Sequence, residues 1–218
     1  MAQQLADAFV ALDRDLCLTL VRERIDAGIP VTEIIDESRI GMGRIGDKYA
    51  SGEFFLSELV MAGHIFGECT KLLEPLIDGQ AQSKLGTIVV GTVAGDIHDL
   101  GKNIFCSLLR AEGFDVVDLG VDVAPERFVE AVREHQAPIV GLSCLLTTAF
   151  GAMRQTVTAF EEAGMRSGVT VLIGGSIVSE RVRDEVGADG FATDAVVGVR
   201  ECVRIVEAQS GADREESP

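Results

Sequence analysis

Gly91-Thr-Val-Ala-Gly-Asp-Ile-His-Asp-Leu-Gly-Lys-Asn-Ile104 joins two kinds of pattern. Before it, the apolar run Leu85 to Val90 reads as a buried β-strand, and after it Ile104-Phe-Cys-Ser-Leu-Leu109 has the apolar spacing of a helix. The polar cluster therefore sits on a strand-to-helix turn, at the carboxyl end of the strand, where open parallel α/β sheets bind ligands. Asp96 and His98 are two residues apart, bracketed by Gly95 and Gly101. A carboxylate that close can hold one imidazole nitrogen and leave the other directed outward, as a metal ligand or as a base.

Two glycine-rich turns are excluded. A phosphate-binding loop needs Gly-x-x-x-x-Gly-Lys followed by Ser or Thr, but five residues separate Gly95 from Gly101 and Asn103 follows Lys102. A dinucleotide fingerprint needs Gly-x-Gly-x-x-Gly, which Gly91, Gly95 and Gly101 do not supply, and Asp96 and Asp99 would repel a pyrophosphate.

Downstream of the turn, β-branched runs alternate with helical ones. Strands are expected at Thr87 to Val93, Phe114 to Leu119, Pro138 to Ser143, Val169 to Ile173 and Gly190 to Ala192, with helices between them and a last helix from about Ala195 to Ala208. Five β-α units predict an α/β fold, a flavodoxin- or Rossmann-like parallel sheet covered on both faces. In the strand order 2-1-3-4-5 the crevice lies between strands one and three. The loop after strand three is Leu142-Ser-Cys-Leu-Leu-Thr-Thr148, and strand four ends in Gly174-Gly-Ser176, so small and hydroxyl-bearing residues line a slot there.

Residues 1 to about 82 show no strand and predict a small helical bundle. Leu5, Phe9, Leu12, Leu16 and Leu20 give one apolar helix face that ends near Gly28-Ile-Pro30. A second helix begins near Thr32 as N-cap and contains Gly41-Met-Gly43, which calls for close backbone packing. A third starts after Gly52 and runs through Phe55, Leu59, Ala62 and Phe66; a short segment from Lys71 to Ile77 is interrupted by Pro75. Ala81 to Lys84 is a polar link, and 213–218 an acidic tail expected to fray.

Composition sets further bounds. The 218 residues are 47% apolar, enough for a packed core. No run of about 18 uninterrupted apolar residues suggests a membrane span. The start lacks the cationic region of a secretory signal, which predicts a cytoplasmic protein. A formal charge of −16 argues against nucleic acid as a partner. Cys17, Cys69, Cys106, Cys144 and Cys202 are odd in number and widely spaced, as expected of reduced, mostly buried thiols. His64 and His135 fall within helical patterns and are expected to be ordinary histidines.

Asp96-x-His98-x-x-Gly101 resembles the signature of cobalamin-binding domains. The longer stretch Gly95-Asp-Ile-His-Asp-Leu-Gly-Lys-Asn103 is most similar to corrinoid proteins of multi-component methyltransferase systems and to the cobalamin module of methionine synthase. The resemblance implies that His98 is the lower axial ligand to cobalt, that Asp96 acts through it, and that Gly95, Ile97, Asp99 and Gly101 surround the cofactor. It also implies that Ser143 and Thr147 meet the buried nucleotide tail, that Gly101 and Gly175 leave space for it, that Leu145 and Gly174 belong to the same motif pairs, and that Asp194 and Ala195 touch the tail. Gly52-Glu-Phe-Phe-Leu-Ser-Glu-Leu-Val60 is similar to the helical cap preceding such domains, which would place Phe55 on the surface shielding the corrin. One position departs from methionine synthase: Ala149 stands where a serine extends the His-Asp pair, leaving Thr148 or a water as substitutes.

The implied function is that of a carrier more than an enzyme. It shuttles a methyl group on cobalt between a substrate methyltransferase and an acceptor methyltransferase, with a reductive activator as third partner. The sequence offers no residue set for activating the methyl donor. Two alternatives remain: the cobalamin subunit of an adenosylcobalamin-dependent mutase, and a cobalamin-dependent sensor. The helical cap disfavours the first, and the acidic amino-terminal region disfavours a DNA-binding form of the second.

Overall fold

The computed structural model describes residues 2–76 and 85–215 of the chain, which divides into two compact units, 1–82 and 83–218. The expected link Ala81 to Lys84, Ile77, and tail residues 216–218 lie outside the described residues.

The first unit is helical: α1 (Ala2–Val10), α2 (Arg14–Asp26), α3 (Val31–Ala50), α4 (Leu56–Leu73) and a 3-10 turn (Glu74–Leu76). The single first helix read from the leucine spacing is in fact two. Leu12 adopts a left-handed backbone, φ +55°, and Asp13 caps α2 by accepting the Leu16 N–H at 3.0 Å, so the apolar periodicity runs through a corner and leaves Leu16 exposed. The expected N-cap Thr32 is likewise inside α3, whose N-cap is Pro30. Phe55 precedes α4, its N–H donated to Glu58 Oε2 at 2.9 Å. Gly41 has the expected close packing: a Cβ there would fall 2.6 Å from the Phe9 Cβ, so α1 and α3 meet at a contact only glycine permits. Leu5, Phe9, Val21, Ile34, Ile45, Leu59 and Ile65 are fully buried or nearly so, and Arg24 Nε donates to Glu37 Oε2 at 2.5 Å within this core.

The second unit is the expected α/β fold. Strands β1 (Thr87–Thr92), β2 (Asp115–Asp118), β3 (Ile139–Ser143), β4 (Thr170–Gly174) and β5 (Gly190–Ala192) form one parallel sheet in the order β2-β1-β3-β4-β5. Helices α5 (Leu100–Glu112), α6 (Pro125–His135), α7 (Phe150–Glu162), α8 (Glu180–Val186) and α9 (Ala195–Glu215) connect and cover the strands. α5 packs with α9 and α6 with α7, so β1 is buried along almost its whole length, as its unbroken apolar run requires. α9 continues past Ala208 to Glu215, so the first part of the expected tail is helical.

Register positions the site. Thr92 pairs with Ser143, Ser143 with Gly174, and Gly174 with Ala192, which sets four small residues in a row along the carboxyl edge of the sheet.

Candidate functional site

At the end of β1 the chain turns through Gly95, whose φ of +80° is a left-handed conformation that costs glycine little. Asp96 follows, fully buried, and all of its carboxylate is used. Its Oδ1 accepts the His98 N–H at 3.0 Å and the His98 Nδ1–H at 2.6 Å; its Oδ2 accepts the Leu145 N–H at 2.6 Å and the Leu146 N–H at 3.2 Å. Burial by itself would raise the pKa of this carboxyl, but the N–H groups of Leu145 and His98 and the imidazole outweigh it and hold the pKa down to about 2.

A depressed pKa contributes stability above the unfolded value of 3.8, and that contribution is lost as pH falls through the folded value of about 2. The shift amounts to about 2 kcal/mol. In urea denaturation of the cofactor-free protein, wild type and Asp96→Asn are therefore expected to differ most at and above pH 5, the gap closing as pH falls towards 2. A gap that stays constant over this range would show that the carboxylate is not held as an anion by these bonds.

Because the Asp96 carboxylate accepts a hydrogen bond from Nδ1–H and so keeps the proton on that nitrogen, the His98 Nε2 carries the free lone pair. The ring is half-exposed, and no hydrogen-bond partner for Nε2 occurs among the described residues. The Thr92 hydroxyl, fully buried, donates to the His98 carbonyl at 3.0 Å and fixes the loop from below. Around the imidazole, Ile97, Leu100, Val121, Leu145 and Leu146 are exposed apolar side chains on the loops after β1, β2 and β3 and on the first turn of α5. Among the described residues, no group of three or more His, Cys, Asp or Glu could hold a bare ion. A single outward nitrogen within an apolar rim fits a metal that brings its own macrocycle.

Within the α/β unit the structure gathers the remaining expected residues at this same edge, with some changes of role. Gly101 lies in the first turn of α5, and a Cβ there would meet open space, so nothing among the described residues requires glycine at this position. Gly175 is different: its φ is +141° and a Cβ would fall 1.9 Å from the Cys144 carbonyl oxygen, so its first duty is to let the chain leaving β4 lie against the chain leaving β3. Asp99 accepts from Asn103 Nδ2 at 3.1 Å, and Thr147 opens a 3-10 turn (Thr147–Ala149). Asp194 caps α9, accepting the Val197 N–H at 2.9 Å, and Ala195 is the first residue of that helix. Phe55 belongs to the helical unit, where it is strongly exposed.

Ala149 is buried, and the bonds a serine would offer are not left unmade: the Leu145 and Leu146 N–H groups fill the Asp96 Oδ2. Thr148 is not among the partners of Asp96. Sequence reasoning also passed over Thr92, Leu100, Val121, Asp122 and Leu146. The signal for Val121 and Asp122 was available, because strand two neighbours strand one in the expected order and its loop opens on the same edge. Lys102, in the motif, is buried and pairs with both oxygens of Asp118 at 2.7 Å, tying α5 to the end of β2. All five cysteines are buried, and burial pushes Cys17, Cys69, Cys106 and Cys202 up to about 12 and Cys144 up to about 11.

Two family models, each described as a B12 binding domain, match the chain, one over residues 86–200 and the other over residues 1–74. A dimethylamine corrinoid protein of Methanosarcina acetivorans is 36% identical over 196 residues, covering 89% of this chain and 92% of the relative. Among solved structures, a cobalamin-binding protein from Desulfitobacterium hafniense is 38% identical with a TM-score of 0.77, covering 94% of this chain and 98% of that one. The methanol:cobalamin methyltransferase complex MtaBC from Methanosarcina barkeri aligns at 27% identity and a TM-score of 0.84, over 94% of this chain and 79% of that one. No helix among the described residues is long and apolar enough to cross a membrane.

Proposed function

Since the chain belongs to the B12-binding family of corrinoid proteins, we propose that it carries a methyl group on the cobalt of a cobalamin held by His98, between a donor methyltransferase and an acceptor methyltransferase. The observation that carries this reading is the His98 ring, its Nδ1 tethered to a buried anion and its Nε2, at the carboxyl edge of the sheet, without a partner among the described residues.

The cofactor supplies the bond chemistry, a cobalt centre able to accept and release a methyl group as its axial ligation and oxidation state change. The chain's own residues set access and ligation. Asp96 keeps the proton on Nδ1 and orients the ring. Ile97, Leu100, Val121, Leu145 and Leu146 offer an apolar seat that excludes water beneath a macrocycle. The hydroxyls of Ser143 and Thr147, with the bare backbones of Gly101, Gly174 and Gly175, suit the polar nucleotide tail, and Gly95 and Asp99 complete the histidine loop. Asp194 and Ala195 lie at the start of α9, just past β5 at the same edge of the sheet, and are proposed to border the tail. Phe55, exposed in the helical unit, is proposed to shield the reactive face. The raised pKa values of the five thiols suit a carrier, because a thiolate beside the cofactor would compete for the methyl group.

The donor we propose is a methylated amine, by likeness to the dimethylamine corrinoid protein; methanol is the competing donor, by likeness to MtaBC. Partners are then a methylamine-specific methyltransferase, an acceptor methyltransferase for a thiol or pterin, and a reductive activator. In the test, the protein is loaded with cobalamin, reduced, and mixed with labelled mono-, di- or trimethylamine, or methanol, and the corresponding methyltransferase. One light-labile labelled methyl per chain is expected with an amine. Labelling by methanol alone would move the donor assignment. Selective binding of adenosylcobalamin, with no labelling by any donor, would favour the mutase or sensor.

A further inference from the structure

Asp122, on the loop after β2, combines three features that its neighbours do not explain. Its backbone is left-handed, φ +53°, a conformation that glycine adopts more readily. Its carboxylate is exposed and has no cationic partner among the described residues. And it grips the histidine loop at two peptides, one on each side of the Gly95–Asp96 bond: its Oδ1 accepts the Gly95 N–H at 2.7 Å, while its own N–H donates to the Asp96 carbonyl at 3.0 Å.

The next residue shows why this grip is rigid. Val123 is buried, forms a parallel bridge with Val93, and donates its N–H to the Thr92 carbonyl at 3.0 Å. The pairing of β1 with β2 thus extends beyond Asp118, and Asp122 is the point where it reaches across to the Gly95 turn. We propose that Asp122 is a positioning residue for His98: by fixing the Gly95 and Asp96 peptides from the β2 side it holds Asp96 where its Oδ2 meets the Leu145 and Leu146 N–H groups, and so sets the direction of the imidazole. The inference rests on the reading of His98 as the cobalt ligand and adds the second loop that aims it.

The test uses the full chain as Asp122→Gly and Asp122→Asn. Glycine removes the carboxylate and accommodates the left-handed backbone, so it deletes the side-chain bond to Gly95 without adding strain and leaves the backbone N–H on the Asp96 carbonyl; asparagine keeps an acceptor oxygen and tolerates the same backbone. In cofactor-free Asp122→Gly, the Gly95 amide is expected to exchange with solvent about five- to tenfold faster than in wild type, the loss of one modest hydrogen bond. In the cobalamin-loaded, cobalt(II) form, a smaller fraction of the electron-spin signal is expected to carry nitrogen coupling from the protein. Asp122→Asn is expected to restore both, and the melting temperature of both cofactor-free variants to stay within about 2 °C of wild type.

Wild-type Gly95 exchange together with full nitrogen coupling in Asp122→Gly would overturn the proposal. So would loss of coupling that only parallels a fall in melting temperature, or a failure of asparagine to restore it. If wild type itself shows no nitrogen coupling from the protein, the ligand role of His98 fails, and the Gly95 exchange, read without cofactor, decides the grip alone.

Discussion

His98→Ala is expected to bind cobalamin with no nitrogen from the protein on its cobalt. The cobalt(II) electron-spin spectrum should lose its protein-derived coupling, and the absorption should shift to that of the form without histidine. The fold should survive, because the ring is half-exposed and the His98 N–H, unchanged in alanine, still occupies the Asp96 Oδ1 alongside the two bonds on Oδ2. Losing the charge-assisted Nδ1–H bond costs about 1.5–3 kcal/mol, and small folded domains commonly have more stability than that to lose. His64, exposed on α4 and 3.6 Å from Glu68, serves as the control: His64→Ala is expected to leave the spectrum untouched. Protein nitrogen coupling that persists in His98→Ala would remove His98 from the cobalt.

Gly175→Ala is expected to have the largest effect on the fold of the α/β unit. Its Cβ would fall 1.9 Å from the Cys144 oxygen and 3.1 Å from the Cys144 carbonyl carbon, and both are backbone atoms that no rotamer change can move. Alanine at φ +141° adds backbone strain of about 1–3 kcal/mol, and overpacking against a fixed neighbour about 1–3 kcal/mol more. Relief requires the ends of β3 and β4 to part, though Cys144 N–H now donates to the Gly174 carbonyl at 2.9 Å. The displaced segment is the one that presents the Leu145 and Leu146 N–H groups to Asp96, so cofactor affinity should fall with stability. Urea denaturation and cobalamin titration of the variant measure the two losses, with Gly101→Ala as comparison. Since Gly101 faces open space within a helix, alanine there is expected to leave the cofactor-free protein no less stable than wild type. A Gly175→Ala protein with wild-type stability would show that Gly175 and Cys144, at the ends of the paired strands β4 and β3, can move apart at no cost.

In the α/β unit, where residue patterns act over a few positions, sequence and structure agree on the strands and on the histidine turn. The alternation from Thr87 to Ala192 yielded five parallel strands in the expected order, because β-branched runs flanked by helical ones have few ways to bury both faces of a sheet. Asp96 and His98 could be paired on paper because two residues of separation put a carboxylate within reach of both the backbone N–H and the ring of its neighbour. The same locality misled at Leu12, where leucine spacing continues across a corner made by a left-handed residue.

By itself, then, the sequence determined the fold class, the family resemblance and the identity of the outward imidazole, all of which rest on periodicity and on a motif contiguous in the chain. Only the tertiary structure decided what holds that imidazole. The N–H groups on Asp96 Oδ2 come from residues 49 and 50 positions away, the Asp122 carboxylate on Gly95 from 27 positions away, and the oxygen that forbids a side chain at Gly175 from the neighbouring strand. Backbone N–H and carbonyl groups are the same at every residue, so no side-chain pattern marks which of them will be spent on a distant carboxylate. Strand register selects them, and register exists only once the sheet has formed.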